Sequence, residues 1–340
     1  MRTTALVELA REAYGAGRRL VAPLMGFPGV EMIGSSIKIA QQNFGEHYKA
    51  VRALVDAYAP DAVFPLMDLA VEANALGRYT IFPQNESATV PKDRFGPKDL
   101  ERLSGINITF DSRLLGYVET VKMMSVTLPA GILRGAYVTG PFTLAGLIMG
   151  ADDAVMATLD DPTGLHALCH FTTERIQEYV QLLVAAGADL IAVLEPTAVM
   201  LSPGQFADFS SRYVRHLTES FTFSGVDFVY HTCGNTMHLV AKMVRAGVNG
   251  ISLDSRDAGV DLPAVARTVP PEVVVIGNIN PATTMLSGTP QEIRREVDGL
   301  LAEMAPFPNF VLSTGCDLPQ ETPLANIRAF MDAGRAWRRK

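Results

Sequence analysis

A chain of 340 residues is long enough for two ordinary domains, and a single α/β barrel fits the same length. Its 48% hydrophobic and 19% charged content belongs to a globular protein with a buried core and excludes a disordered chain. The net charge of −7 excludes the basic footprint of a nucleic-acid binder.

Residues 1–19 read as an amphipathic N-terminal helix, with Glu8, Arg11 and Glu12 standing where a signal peptide needs its apolar core. Short apolar runs ending in Gly, Pro, Asn or Asp then alternate with helix-like stretches. LVAPLMG (20–26) and AVFPLMD (62–68) are the first two strands. An excursion over 69–132, containing PQNESATVPKDRFGPKDLERL, follows and reads as an insertion capping one end of the fold. Further strands are expected at LRGAYVTG (133–140), DLIAVLEP (189–196), DFVYHTCG (227–234), NGISLDS (249–255), VVVIGNIN (273–280) and NFVLSTGC (309–316). Near-continuous apolar strands between helices imply a parallel sheet covered on both faces. Eight of them imply one (β/α)8 TIM barrel domain over 1–340. A doubly wound open sheet is the rival, but no GxGxxG follows the first strand. No run approaches the roughly 18 apolar residues of a membrane span. Three cysteines are a poor disulfide framework, so a cytoplasmic location is expected.

In such a barrel the chemistry sits at the C-terminal strand ends. Here these are MGFPG, DLAVEA, TGPFT, EPT, HTCG, LDS, GNINP and STGCDLP. His231 and Cys233 stand two apart at the end of the fifth strand, a spacing that puts both on one face. Cys316 ends the eighth, 83 residues later in the chain. One imidazole and two thiolates suit zinc, and three protein ligands leave a fourth position open, as in catalytic sites. The competing reading of a cysteine is a small buried hydrophobe, which is assigned to Cys169 inside the helix-like LHALCHFTTERIQEYVQLL. His166 and His170 share the HxxxH spacing of zinc proteases, but Ala167 stands where the glutamate belongs, so a helix surface is expected. His238, in TMHLVAKMVRAG, reads as another helix residue.

The H-x-C…C pattern, with PLMGFPG (23–29), FPLMDLAVEANALG (64–77), YVTGPFTLAG (137–146), VYHTCGN (229–235), VIGNINP (275–281) and LSTGCDLPQETPLANIRAF (312–330), resembles the zinc-dependent corrinoid methyltransferases of the uroporphyrinogen decarboxylase superfamily. The resemblance implies the (β/α)8 fold and zinc held by His231, Cys233 and Cys316. It also implies a methyl donor carried as a methylated corrinoid on a partner corrinoid-binding protein, and a small thiol acceptor of the coenzyme M kind. A displaceable acidic fourth ligand goes with it. Asp254 stands where that acid is expected, although it is shorter than the usual Glu, and it can equally cap the next turn. Glu195, at the end of DLIAVLEP, can orient a ligand or substrate, or pair with an arginine. Met25, Glu72, Asn278 and Asn280 are the candidate substrate contacts, and Asp68 is a helix N-cap. No oligomeric state is implied.

Zinc coordination strips the proton from a thiol whose free pKa is about 8.5 and makes the thiolate nucleophile available at neutral pH. Two alternatives share the superfamily. A uroporphyrinogen decarboxylase needs no metal and carries an R-Q-A-G-R-Y type signature, whereas PLMGFPGVEM here has no arginine. A methylcorrinoid:tetrahydrofolate methyltransferase has a nitrogen acceptor that needs no zinc-bound thiolate. A non-enzymatic corrinoid store would be expected to carry D-x-H-x-x-G, which is missing.

Overall fold

The computed structural model describes residues 5–339, so residues 1–4 of the expected N-terminal helix lie outside the described residues. The apolar runs become eight strands: β1 (Leu20–Val21), β2 (Ala62–Val63), β3 (Leu133–Thr139), β4 (Leu190–Leu194), β5 (Asp227–Thr232), β6 (Gly250–Leu253), β7 (Val274–Ile279) and β8 (Phe310–Thr314). They pair in the order β1-β8-β7-β6-β5-β4-β3-β2, every pair parallel. β1 and β2 are shorter than 20–26 and 62–68 because Pro23 and Pro65 have no N–H to give to a ladder. Asp61 closes the seam between them. Its N–H donates to Val21 O at 3.0 Å, and its Oδ2 accepts the Val21 N–H at 2.8 Å. The result is a nearly closed (β/α)8 barrel, as the strand count implied.

Alternation along the strands separates two cores. Leu20, Ala22, Phe64, Tyr137, Ala192 and Val229 pack with their neighbours inside the lumen. Val21, Val63, Val138, Val193, Tyr230 and Val275 face out against the helices. The helix Leu6–Gly15 closes the N-terminal end of the barrel. Its Leu6, Ala10 and Ala13 join the lumen core, and the Leu6 N–H donates to Asp227 Oδ2 at 2.6 Å.

The stretch 69–132 carries helices Val71–Ala75 and Pro97–Ser104, a 3-10 turn at Ile108–Phe110, and the helix Ser112–Thr127. The last starts at an Asp111 cap whose side chain accepts the Leu114 N–H, and it packs on β3 and on helices Phe44–Tyr58 and Pro162–Ala186. Among the described residues no single helix is long and apolar enough to cross a membrane. The one pair that passes jointly, Pro141–Met149 with Ala151–Asp160, is bent by 105°. Every residue of Pro141–Met149 except Leu147 and Met149 is buried.

Candidate metal centre

Two glycines let the two cysteines meet. Gly234 takes φ 84°, a left-handed conformation open to glycine, and turns the chain straight after Cys233. A Cβ on Gly315 would lie 2.7 Å from Ser255 N, so only glycine lets the end of β8 lie this close to the end of β6. Cys233 Sγ then lies 3.3 Å from Cys316 Sγ and 3.4 Å from His231 Nε2, and Cys316 Sγ lies 3.7 Å from that nitrogen. Among the described residues this is the only set of three or more His, Cys, Asp or Glu donors lying within 4.8 Å of one another.

A tetrahedral zinc with Zn–S about 2.3 Å and Zn–N about 2.0 Å spaces its donors roughly 3.5–3.8 Å apart. The two Sγ–Nε2 separations, 3.4 and 3.7 Å, lie close to that figure, while the Sγ–Sγ separation of 3.3 Å must open by about 0.5 Å to take the metal. All three cysteines are free, and Cys169 is fully buried in the outer core, as its helix context suggested. The contact with Cys316 holds Cys233 below the ordinary thiol value. The same contact, with burial, pushes Cys316 well above it. A cation bound to both sulfurs removes that conflict.

His231 is 2% exposed and stands opposite Ser252 in the β5–β6 ladder. Its Nδ1 lies 3.0 Å from Ser252 Oγ, which leaves Nε2 for the thiols. Sequence reading missed Ser252. Its position on β6, two residues before Asp254, was the available signal.

The other candidates are placed as follows. Asp254 lies outside the 4.8 Å cluster, and both its oxygens are engaged. Oδ2 accepts the Gly234 N–H at 2.7 Å, and Oδ1 accepts the Ser255 N–H at 2.6 Å. Glu195 is fully buried and takes four hydrogen bonds, from the Phe142 and Thr143 N–H groups, Thr143 Oγ1 and Ser210 Oγ. It anchors the start of the helix Pro141–Met149 rather than joining the thiols. Glu72 binds Thr139 through its N–H and its Oγ1, each at 2.8 Å, and burial pushes its carboxyl up to about 7. Asn278 donates to Asp254 O at 2.9 Å. Asn280 caps the turn after β7, accepting from the Ala282 and Thr283 N–H groups. Met25 is 2% exposed in the outer core. Asp68 accepts the Ala70 N–H ahead of Val71–Ala75 and also binds Tyr117 and Arg113. His166 bonds Tyr213, while His170 and His238 are exposed, and none of the three joins the cluster.

Two further groups face this region. Asp317, next to Cys316, accepts backbone N–H groups from Gly26, Met67 and Leu318, and so ties together the ends of β1, β2 and β8. Burial pushes its carboxyl up to about 7, against the pull of those donors and of His231. Tyr137, on β3, shares the lumen with His231.

A family model described as uroporphyrinogen decarboxylase (URO-D) matches residues 31–337. A protein of Methanosarcina mazei named methylcobamide:CoM methyltransferase MtbA is 30% identical over 246 residues, covering 71% of this chain and 70% of that protein. A uroporphyrinogen decarboxylase of Anaeromyxobacter dehalogenans is 26% identical over 298 residues, covering 84% and 83%. A solved structure described as a methyltransferase from Methanosarcina mazei superposes with a TM-score of 0.85 at 22% identity, over 97% of this chain and 98% of that one.

Proposed function

The chain belongs to the uroporphyrinogen decarboxylase (URO-D) family, and from that membership we propose that it is a zinc-dependent methyltransferase, moving a methyl group from a methylated corrinoid to a thiol. The observation that carries this reading is the set of two thiols and one imidazole, 3.3–3.7 Å apart at the ends of β5 and β8. A decarboxylase has no use for that set. The arginine-free segment 23–32 supports the same choice. Its helix, Gly26–Met32, gives its first N–H to Asp317, and the segment supplies no Lys or Arg to receive a many-carboxylate substrate.

His231, Cys233 and Cys316 would hold the zinc, which supplies a charge that keeps the acceptor's sulfur deprotonated at neutral pH. Ser252 fixes the imidazole so that Nε2 faces the metal position. Asp254 and Asp317 hold the strand-end loops that carry Cys233 and Cys316. The barrel mouth receives the corrinoid on its partner protein. The acceptor is a small thiol of the coenzyme M kind.

The test is zinc content measured beside methyl transfer from methylcobalamin to a panel of thiols and tetrahydrofolate. The expected result is one zinc per chain and thiol-dependent demethylation, both lost in Cys233→Ser and Cys316→Ser. Protein that stays metal-free after anaerobic purification with added zinc would overturn the reading. Transfer to tetrahydrofolate but to no thiol would replace the proposed acceptor.

A further inference from the structure

Near the thiol cluster most polar side chains have protein partners; the buried hydroxyls of Thr232 and Thr236, on either side of Cys233 in the chain, have none, but neither lines the lumen that Tyr137 shares with His231. Ser252 is matched to His231, Asp254 to Gly234 and Ser255, Asn278 to Asp254, and Glu195 to four donors. The hydroxyl of Tyr137 is buried and has none, although the residue is only 8% exposed. A buried hydroxyl without a partner is uncommon in folded proteins and calls for an explanation.

The ring is held firmly. It stacks on Phe64 with centroids 4.8 Å apart and planes 24° apart. Below it the lumen is a narrow cavity of about 40 Å³ lined mainly by Leu, Ala, Val and Ile side chains. Its polar members are already engaged: His231 with Ser252, and Asp61 with the β1–β2 seam. A water there would lack the two to four polar partners it needs. The missing partner must therefore come from the side of the thiols. A phenol, whose ordinary pKa is about 10, is protonated at neutral pH, so toward an anion it is the donor, and burial of Tyr137 acts in the same direction.

Resting on the methyl-transfer reading above, we propose that the Tyr137 hydroxyl donates a hydrogen bond to the sulfur of the thiol acceptor as it enters the His231–Cys233–Cys316 cluster. Tyr137 is then a substrate-contact residue, and its rigid ring presents the donor before the substrate arrives. The donor offsets the charge of a third sulfur brought beside two others.

The test uses full-length protein loaded with cobalt(II) in place of zinc, titrated with coenzyme M and with 2-mercaptoethanol. Thiol binding is followed by the sulfur-to-cobalt absorption band. Tyr137→Phe keeps the ring stack, so it is expected to bind one metal per chain and to melt with the wild type, while the Kd for both thiols rises about ten-fold or more. A second variant, with 3,5-difluorotyrosine at position 137, has a stronger donor and is expected to bind both thiols more tightly. A Tyr137→Phe Kd within two-fold of wild type, or loss of the metal itself, would overturn the inference. A wild-type protein that holds the metal on its three ligands but shows no thiol-induced band would instead sink the methyl-transfer reading.

Discussion

Glu195→Gln separates anchoring from metal binding at the end of β4. The wild-type carboxylate accepts two hydrogen bonds on each oxygen. Oε1 takes the Phe142 N–H at 3.1 Å and Ser210 Oγ at 2.9 Å, and Oε2 takes the Thr143 N–H at 2.9 Å and Thr143 Oγ1 at 2.7 Å. Glutamine turns one of these oxygens into an NH2 donor. A hydroxyl can rotate to accept from it, but a backbone N–H cannot, so one of Phe142 and Thr143 is left unpaired in a fully buried place. That costs about 1–3 kcal/mol, and the surviving bonds lose their charge assistance. No longer burying a charge offsets part of the loss, which leaves a net of roughly 2–3 kcal/mol. A chain of 340 residues unfolds with an entropy of roughly 0.7 kcal/mol/K, so the expected fall in Tm is about 3–4 °C. The assay is thermal unfolding of zinc-loaded protein with zinc counted in the same sample. Zinc is expected to stay at one per chain, because Glu195 touches the site only through its N–H on His231 O at 2.9 Å. An unchanged Tm together with lost zinc would refute the reasoning and put the carboxylate on the metal.

Ser252→Ala removes the partner of His231 Nδ1 and is expected to weaken zinc about 10- to 100-fold in a chelator competition, with the fold intact. Glu72 has its carboxyl raised by burial from 4.5 to about 7, so its contribution is full below about pH 4.5 and lost as pH rises through 7. Glu72→Gln should flatten the stability profile across that window, by up to about 3 kcal/mol, in urea midpoints taken at pH 5 and pH 8. His47 has the opposite sign. Burial, helped by nearby Arg113, lowers its imidazole to about 3, and the neutral ring accepts the Leu66 N–H at 2.8 Å. Stability is therefore lost as pH falls from about 6.5 toward 3, where the unfolded chain takes the proton and the native one does not. His47→Gln should reduce that loss in urea midpoints taken at pH 4.5 and pH 7.

The barrel was legible because its evidence is local. Each strand is an apolar run closed by Gly, Pro, Asn or Asp, and all eight formed where those runs lie. The ends of β1 and β2 were overdrawn because a proline's missing N–H ends a ladder while leaving the apolar run intact. The three-donor cluster was legible for a related reason. His231 and Cys233 are paired by strand period alone, and Cys316 ends another strand of the same sheet, which in a barrel brings it to the same mouth.

The roles of the acids were not legible. Asp254, Glu195 and Glu72 all lie near strand ends, and the sequence offered Asp254 as a fourth ligand or a turn cap, Glu195 as an orienting group or an arginine's partner, and Glu72 as a substrate contact. What separates them is the supply of backbone N–H groups around each carboxylate, and those come from segments as far as 67 residues away, such as Thr139 on Glu72. Sequence patterns carry periodicity and spacing, so by itself the sequence determined the barrel, its mouth and the three soft donors. Only the packed structure decided which polar groups are already satisfied, because hydrogen-bond partnership is a property of distance between chain segments. By that measure each of the three acids accepts backbone N–H groups, Ser252 is the imidazole's partner, and the lumen-facing Tyr137 hydroxyl has none.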